Sequence, residues 1–361
     1  MCRISWLRIG SRVSGSRVTR YAFLWVIPLF VIGSGPAAGE AGPDSDPVLS
    51  PRELALSLPL DCRLTETCWV ANYVDVNPGA QAQDFHCQPR TYDGHDGVDF
   101  AIRDLDQMHR GVSVIAAVSG TVRAIRNDME DVLLEHDAAG RSITGRECGN
   151  GVVMDHDGGW QTQYCHLRRD SVRVRVGERV ARGSELGLVG ISGKTTFPHL
   201  HLTVRHNGKI VDPFTGLGLG AGCRSQGRSL WAEPQSIPYE EVALYNLGLS
   251  DEPPRIADIR RGQARQPGLD RTAQRLVLWV DLFGVQKGDR VRLRITGPHD
   301  QSLLDYEQVI DRTRARQFLF AGRSRTAPEW VEGLYNGEVI LRRTHPEKVF
   351  TTRATTSMFL K

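Results

Sequence analysis

Four histidines and one aspartate stand in unusual company in this 361-residue chain. His95 and Asp99 lie in YDGHDGVDF, His166 in QYCHL, and His199 and His201 in FPHLHLTV. In an extended strand, residues two apart face the same way. His199 and His201 then project together, while Leu200 and Leu202 turn into a core. Two imidazoles on one face of an apolar strand are costly to bury unless something binds them. On a solvated face they need no explanation, so the HxH pair alone decides nothing. His95 and Asp99 are four apart, with Gly94 and Gly97 loosening the chain between them. If that segment runs into a strand, the even separation puts both on one face.

One imidazole and one carboxylate from the first segment, with one imidazole from a distant strand, give three nitrogen and oxygen ligands. That set suits zinc, which in catalytic sites keeps a fourth tetrahedral position open for water. A structural zinc is closed by a fourth protein ligand, and calcium or magnesium asks for more oxygens. The spacing does not say which of His199 and His201 is the ligand. Hydrolysis of an amide also develops an oxyanion and a leaving amine, and a positioned imidazole can hydrogen-bond to the one or pass a proton to the other. His166 and the remaining histidine of the HxH pair suit that task. Taken alone, His166 reads as a surface or cap residue.

Taken together, GHDGVD, then YCHL, then SGKTTFPHLHL resemble the LytM/lysostaphin-type zinc endopeptidases, the M23 peptidases. GVVMDH before the central histidine and VGERVARGSELGLVG after it fall in the same order. The likeness covers roughly Asp93 to Phe214. It implies a small antiparallel β domain with a groove over one zinc per chain. It also implies that His95, Asp99 and His201 are the ligands, and that His166 and His199 are the catalytic pair that orients water and stabilises the tetrahedral intermediate. By the same resemblance the substrate is a peptide bond in peptidoglycan stem peptides or cross-links. Some members have lost ligands and act as binding proteins that regulate another cell-wall hydrolase; this chain keeps all five positions. A secreted protease with a non-wall protein substrate is a third reading.

The elements around these residues read as β structure. From residue 97 onward, GVDFAI, VSVIAAVSGTVRAI, NGVVMDHD, WQTQYCHL, SVRVRV, ELGLVG and HLHLTVRH alternate with Gly, Asp, Asn and Ser clusters. DHDGGW and RHNGKI look like hairpins, the second turning at Asn207-Gly208. A second series follows: RLVLWVDLF, DRVRLRITG, SLLDYEQVI, ARQFLFAG, GLYNGEVILRR and FTTRATTSMFL. Short strands at that spacing suggest an immunoglobulin-like β-sandwich. The fold class expected is therefore all-β, a LytM-type peptidase domain followed by such a sandwich. The sandwich carries no residue pattern for chemistry and reads as a spacer or a module that binds wall or protein.

The expected domains are a signal peptide over 1–39, a Cys-containing extension over 40–90 and the peptidase domain over 91–222. A linker over 223–253 and the sandwich over 254–361 complete the chain. Five arginines precede the apolar run YAFLWVIPLFVI, and GSGPAAGEAG follows it. That order marks a secretory signal, with cleavage expected after Gly39 or Ala41. The run is short for a membrane span. An uncleaved anchor is the alternative, and no stable span is expected once the signal is removed. Apart from Cys2 there are six cysteines, Cys62, Cys68, Cys87, Cys148, Cys165 and Cys223. An even count in an exported chain points to disulfides and to a periplasmic or extracellular location. The close spacing of Cys62 and Cys68 suggests a local bridge. A net charge of +3 is no signature of nucleic-acid binding, and none is expected. Residues 40–90, tethered by their cysteines, could also cover the groove and hold the enzyme latent.

Overall fold

The computed structural model describes residues 54–133 and 143–361. The signal peptide, the linker before residue 54 and part of the polar insertion after Asn127 lie outside them. Among the described residues, no helix is long and apolar enough to cross a membrane.

The chain is almost all β, with antiparallel sheets, as the patterning implies. The first eleven strands open with β1 (Cys68–Asn72), β2 (Val98–Ile102), β3 (Ser113–Ile115) and β4 (Gly120–Arg126). β5 (Asn150–Asp155), β6 (Trp160–Leu167), β7 (Arg179–Val180) and β8 (Glu185–Leu188) follow. β9 (His199–His206), β10 (Lys209–Asp212) and β11 (Leu217–Gly218) end the set. The main sheet runs β1-β2-β9-β6-β5-β4-β7, with β10 and β11 continuing from β9, while β3 and β8 pair separately. β9 is hydrogen-bonded on both sides, and its first six residues are all buried. Its partner β10 follows through the Asn207-Gly208 turn, where both residues take positive φ, 50° and 76°. This is the left-handed geometry that the twist of a two-residue hairpin requires.

One core spans this region. Leu56, Leu60, Val70 and Tyr73 pack in it together with Phe100, Val152, Leu200 and Leu202. The strand segment Cys68–Asn72 is thus an integral edge of the sheet. Cys62–Cys68, as the spacing suggests, fastens its start, and Cys87–Cys223 and Cys148–Cys165 bridge other parts of the region.

The remaining strands form two further sheets. They are β12 (Ala243–Ser250), β13 (Arg275–Val285), β14 (Arg290–Thr296), β15 (Ser302–Val309), β16 (Arg314–Ser324), β17 (Gly333–Thr344) and β18 (Val349–Leu360). One sheet is β12-β13-β16 and the other β15-β14-β17-β18. Their inner faces share a core that includes Leu278, Val280, Leu293, Val339 and Leu341. β14 alternates strictly between buried and half-exposed positions after its first residue, as VRLRI predicts. In this seven-stranded sandwich the fourth strand pairs with the third; in the constant-type immunoglobulin arrangement it joins the other sheet. A short aromatic patch, Trp69, Ala71 and Ala101 against Ala243, Tyr245 and Phe283, joins the sandwich to the edge of the main sheet.

Candidate active site

Strand register brings the conspicuous residues together. β2 and β9 run antiparallel with Asp99 opposite His201 and Ala101 opposite His199. On the other side of β9, Cys165 of β6 stands opposite His201. His95 precedes β2 in a turn that passes through Gly94 at a φ of 74°. Turn geometry therefore brings it to Asp99, where strand alternation was expected to do so.

The resulting cluster is tight and buried. His95 Nε2 lies 3.1 Å from Asp99 Oδ1 and 3.2 Å from His201 Nδ1, and His201 Nδ1 lies 2.9 Å from Asp99 Oδ1. All three residues are buried. The far side of each is tied off. His95 Nδ1 donates to the Tyr73 carbonyl at 2.6 Å, and Asn72 Nδ2 donates to Asp99 Oδ2 at 2.8 Å. His201 Nε2 lies 3.1 Å from Asp96 Oδ1 and 3.0 Å from Thr203 Oγ1. With the outer nitrogens acting as donors, two imidazole lone pairs and one carboxylate oxygen converge on a single point. Such outer partners fix tautomer and ring orientation around a metal. The donor triangle also has nearly the edge, about 3.3 Å, that three ligands on a tetrahedral zinc require. The set therefore fits a cation.

Electrostatics agree. Asp99 is pushed up by burial, but His95, His199 and His201 outweigh that and hold it well below the usual carboxylate range. Burial disfavours charge on His201, yet its hydrogen bonds to Asp96 and Asp99, and their charges, raise it to about 9. The negative field that would keep a proton there is the field that attracts a cation.

His166 reaches the same groove by an unusual backbone. Alternation along β6 would send Cys165 and His166 to opposite faces. His166 takes a φ of 62°, and both residues line one groove of about 190 Å³ with His201, Tyr92 and Lys194. A left-handed non-glycine residue costs on the order of 1–3 kcal/mol, and such strain persists where the surroundings over-determine it. Here its N–H donates to the Cys148 carbonyl at 2.8 Å, its carbonyl accepts from Gly190, and Nδ1 donates to the Ser192 carbonyl at 2.8 Å. Burial, then the neighbouring His199 and His201, holds its imidazole well below the ordinary histidine value, and so neutral. The His199 ring lies 4.7 Å from that of His166, with Nε2 3.4 Å from Asp99 Oδ1. Its Nδ1 faces the Phe197 carbonyl at 2.9 Å and Thr195 Oγ1 at 3.1 Å.

Asn72, the Tyr73 carbonyl, Asp96 and Thr203 support the cluster without having been legible as motif residues. Thr203 could have been found, since it lies two residues from His201 on the same strand face. No residue of the described part of the extension, 54–90, lines the groove.

A β-sheet protein with a buried His–Asp–His donor cluster at the floor of a groove is the class that this geometry defines. Its sequence narrows the class: residues 93–213 match the model of peptidase family M23. It is 34% identical over 121 residues to an uncharacterized metalloprotease of Haemophilus influenzae, covering 34% of this chain and 20% of that protein. It is 33% identical over 118 residues to the peptidoglycan DD-endopeptidase ShyA of Vibrio cholerae, covering 33% of this chain and 22% of that one. A crystal structure of a putative M23 peptidase from Pseudomonas aeruginosa is 26% identical, with a TM-score of 0.28 over 45% of this chain and 50% of that one. The chain thus spans about a fifth of the length of these curated relatives.

Proposed function

We propose that this chain is an exported zinc metalloendopeptidase that hydrolyses peptide bonds in peptidoglycan stem peptides or cross-links. One observation carries the reading: three lone-pair donors, on His95, Asp99 and His201, converge within 2.9–3.2 Å of one another in a buried cluster whose outer atoms are already satisfied. The likeness of residues 93–213 to peptidoglycan endopeptidases supports the choice of substrate. Three disulfides support an oxidising, periplasmic or extracellular location. The described part of the extension is proposed to belong with the peptidase domain, whose sheet and core it shares, and the appended sandwich to begin at β12 (Ala243–Ser250) rather than at 254.

Zinc held by His95, Asp99 and His201 would polarise the scissile carbonyl and acidify water at the open position. The chain's own groups do the rest. Neutral His166, its Nδ1 donating to the Ser192 carbonyl, turns the Nε2 lone pair toward the reacting centre and accepts a proton from the attacking water; the Nε2–H so formed hydrogen-bonds to the oxyanion and then passes its proton to the leaving amine. His199, its Nδ1 donating to the Phe197 carbonyl, presents the Nε2 lone pair beside it as a hydrogen-bond acceptor that orients the attacking water.

The test is metal content together with cleavage of purified peptidoglycan. One zinc per chain with new amino termini in the digest supports the proposal. Zinc-free protein that still functions as a partner of another hydrolase would favour a regulator. Cleavage of proteins but not of wall would favour a protease with a non-wall substrate.

A further inference from the structure

Among the described residues, the sandwich meets the candidate site at Phe197. Phe197 lies two residues before His199, and the two rings stack with centroids 4.4 Å apart at 27°. On its other side Phe197 meets Phe283 of β13, 5.2 Å away. Phe283 in turn stacks on Tyr245 of β12 at 4.3 Å, and Tyr245 packs edge-on to Trp69 of β1 at 6.1 Å. Over this aromatic set lies Arg316 of β16, its guanidinium carbon 5.8 Å from the Phe197 ring centre and 5.5 Å from that of Phe283. A cation over aromatic faces is attracted to them, most strongly where water is excluded.

Arg316 is itself held. It pairs with Asp281, Nη2 to Oδ2 at 2.6 Å and Nε to Oδ2 at 3.0 Å, and Tyr245 hydrogen-bonds to both side chains. Asp281 is fully buried. A hydrophobic patch that served only to glue two modules would be at least as stable without a buried ion pair, because desolvation offsets most of its attraction. Asp281 Oδ2 takes both guanidinium contacts while the buried Oδ1 has no hydrogen-bond partner, so what the pair adds is position rather than stability. Here the position that it fixes is that of the Phe197 ring.

Phe197 is also the residue that sets His199. Its carbonyl accepts from Thr195 Oγ1 at 2.7 Å and faces His199 Nδ1 at 2.9 Å. Moving the Phe197 ring moves that carbonyl and frees the His199 tautomer. We infer that Phe283 and Arg316 of the sandwich are positioning residues for His199, acting through Phe197, so that turnover as well as stability depends on the C-terminal module. The inference rests on the catalytic role proposed above for His199. A displacement of even about 1 Å at a catalytic group can cost up to a hundredfold in rate.

The experiment uses the full chain and compares Phe283→Ala with Val339→Ala, a truncation deep in the sandwich core and away from Phe197. Three quantities are read: melting temperature, kcat and KM on soluble peptidoglycan fragments, and the nitrogen-15 signals of the His199 ring, which report its tautomer. Both variants are expected to melt earlier than the parent. Only Phe283→Ala is expected to shift the His199 ring signals and to lower kcat, by about tenfold or more with KM little changed. Phe283→Tyr, which keeps the flat ring, restores both. Should Phe283→Ala not fold, Arg316→Gln carries the same comparison. Unchanged His199 signals and kcat in a variant that merely melts earlier would overturn the inference. If the parent chain turns over no substrate, the peptidase reading falls, and the His199 signals alone still decide whether the sandwich positions this loop.

Discussion

Asp96 holds the outer nitrogen of His201, its Oδ1 lying 3.1 Å from Nε2, while Asp99 takes the inner nitrogen at 2.9 Å. The imidazole is therefore clamped between two carboxylates, and its tautomer is set from outside the donor cluster. Replacing Asp96 by Ala should weaken zinc binding by roughly 10- to 100-fold, the usual effect of losing an outer partner of a ligating histidine. Chelator competition at fixed pH measures this, and an unchanged affinity would mean that Thr203 orients the ring by itself.

Gly97 is needed for space. A methyl group there would stand 2.5 Å from His201 Nε2 and 2.6 Å from the Leu202 carbonyl oxygen. Neither neighbour can retreat, since one belongs to the clamped imidazole and the other to the β9 backbone. Gly97→Ala should cost about 1–3 kcal/mol of stability, as overpacking does, and abolish stoichiometric zinc binding. Denaturant unfolding and metal analysis on the same sample test both halves.

The disulfides should separate stability from activity. Cys87–Cys223 closes 136 residues and Cys148–Cys165 closes 17. On loop-closure entropy, a bridge over about 15 residues contributes about 3 kcal/mol and one over about 100 residues about 4.7 kcal/mol. Replacing both cysteines of the first pair by serine should therefore lower the melting temperature more. Loss of the second pair should lower kcat more, because the Cys148 carbonyl holds the His166 N–H.

Glu240 gives the pH dependence. Its buried carboxyl is raised to about 7 by desolvation, against the opposing pull of Arg90. The folded protein thus binds this proton more tightly than the unfolded chain, whose carboxyl titrates near 4.5. The contribution to stability is complete below pH 4.5 and is lost as the pH rises through 7. Glu240→Gln should match the parent at pH 4.5 and exceed it at pH 8 by something on the order of 3 kcal/mol. Thermal melts at the two pH values decide it, and equal differences at both would rule out Glu240 as the source.

Much of the site could be read from the chain because its five side chains sit in short local patterns. HLH on one strand face, HxxxD across a glycine, and a histidine ending an alternating strand are all visible at short range, and the structure brings them into one cluster. Four features were not visible. His95 reaches Asp99 through a left-handed glycine turn, and His166 joins the groove through positive φ; neither conformation is dictated by residue type. The Tyr73 carbonyl that supports His95 is a backbone atom just beyond the end of β1, 22 residues away, without any sequence signature. The contact from Phe283 to Phe197 joins positions far apart in the chain, so a sandwich with no chemistry in its own sequence reads as a spacer. Its strand pattern was legible; its contact with the active-site loop was not.

We propose that His95, Asp99 and His201 hold one zinc that works with His166 on peptide bonds of the cell wall. It is tested most directly by metal analysis and peptidoglycan digestion on the parent, His201→Ala and His166→Ala. One zinc per chain is expected in the parent and in His166→Ala, none in His201→Ala, and cleavage in the parent alone. Full cleavage by zinc-free His201→Ala would contradict it.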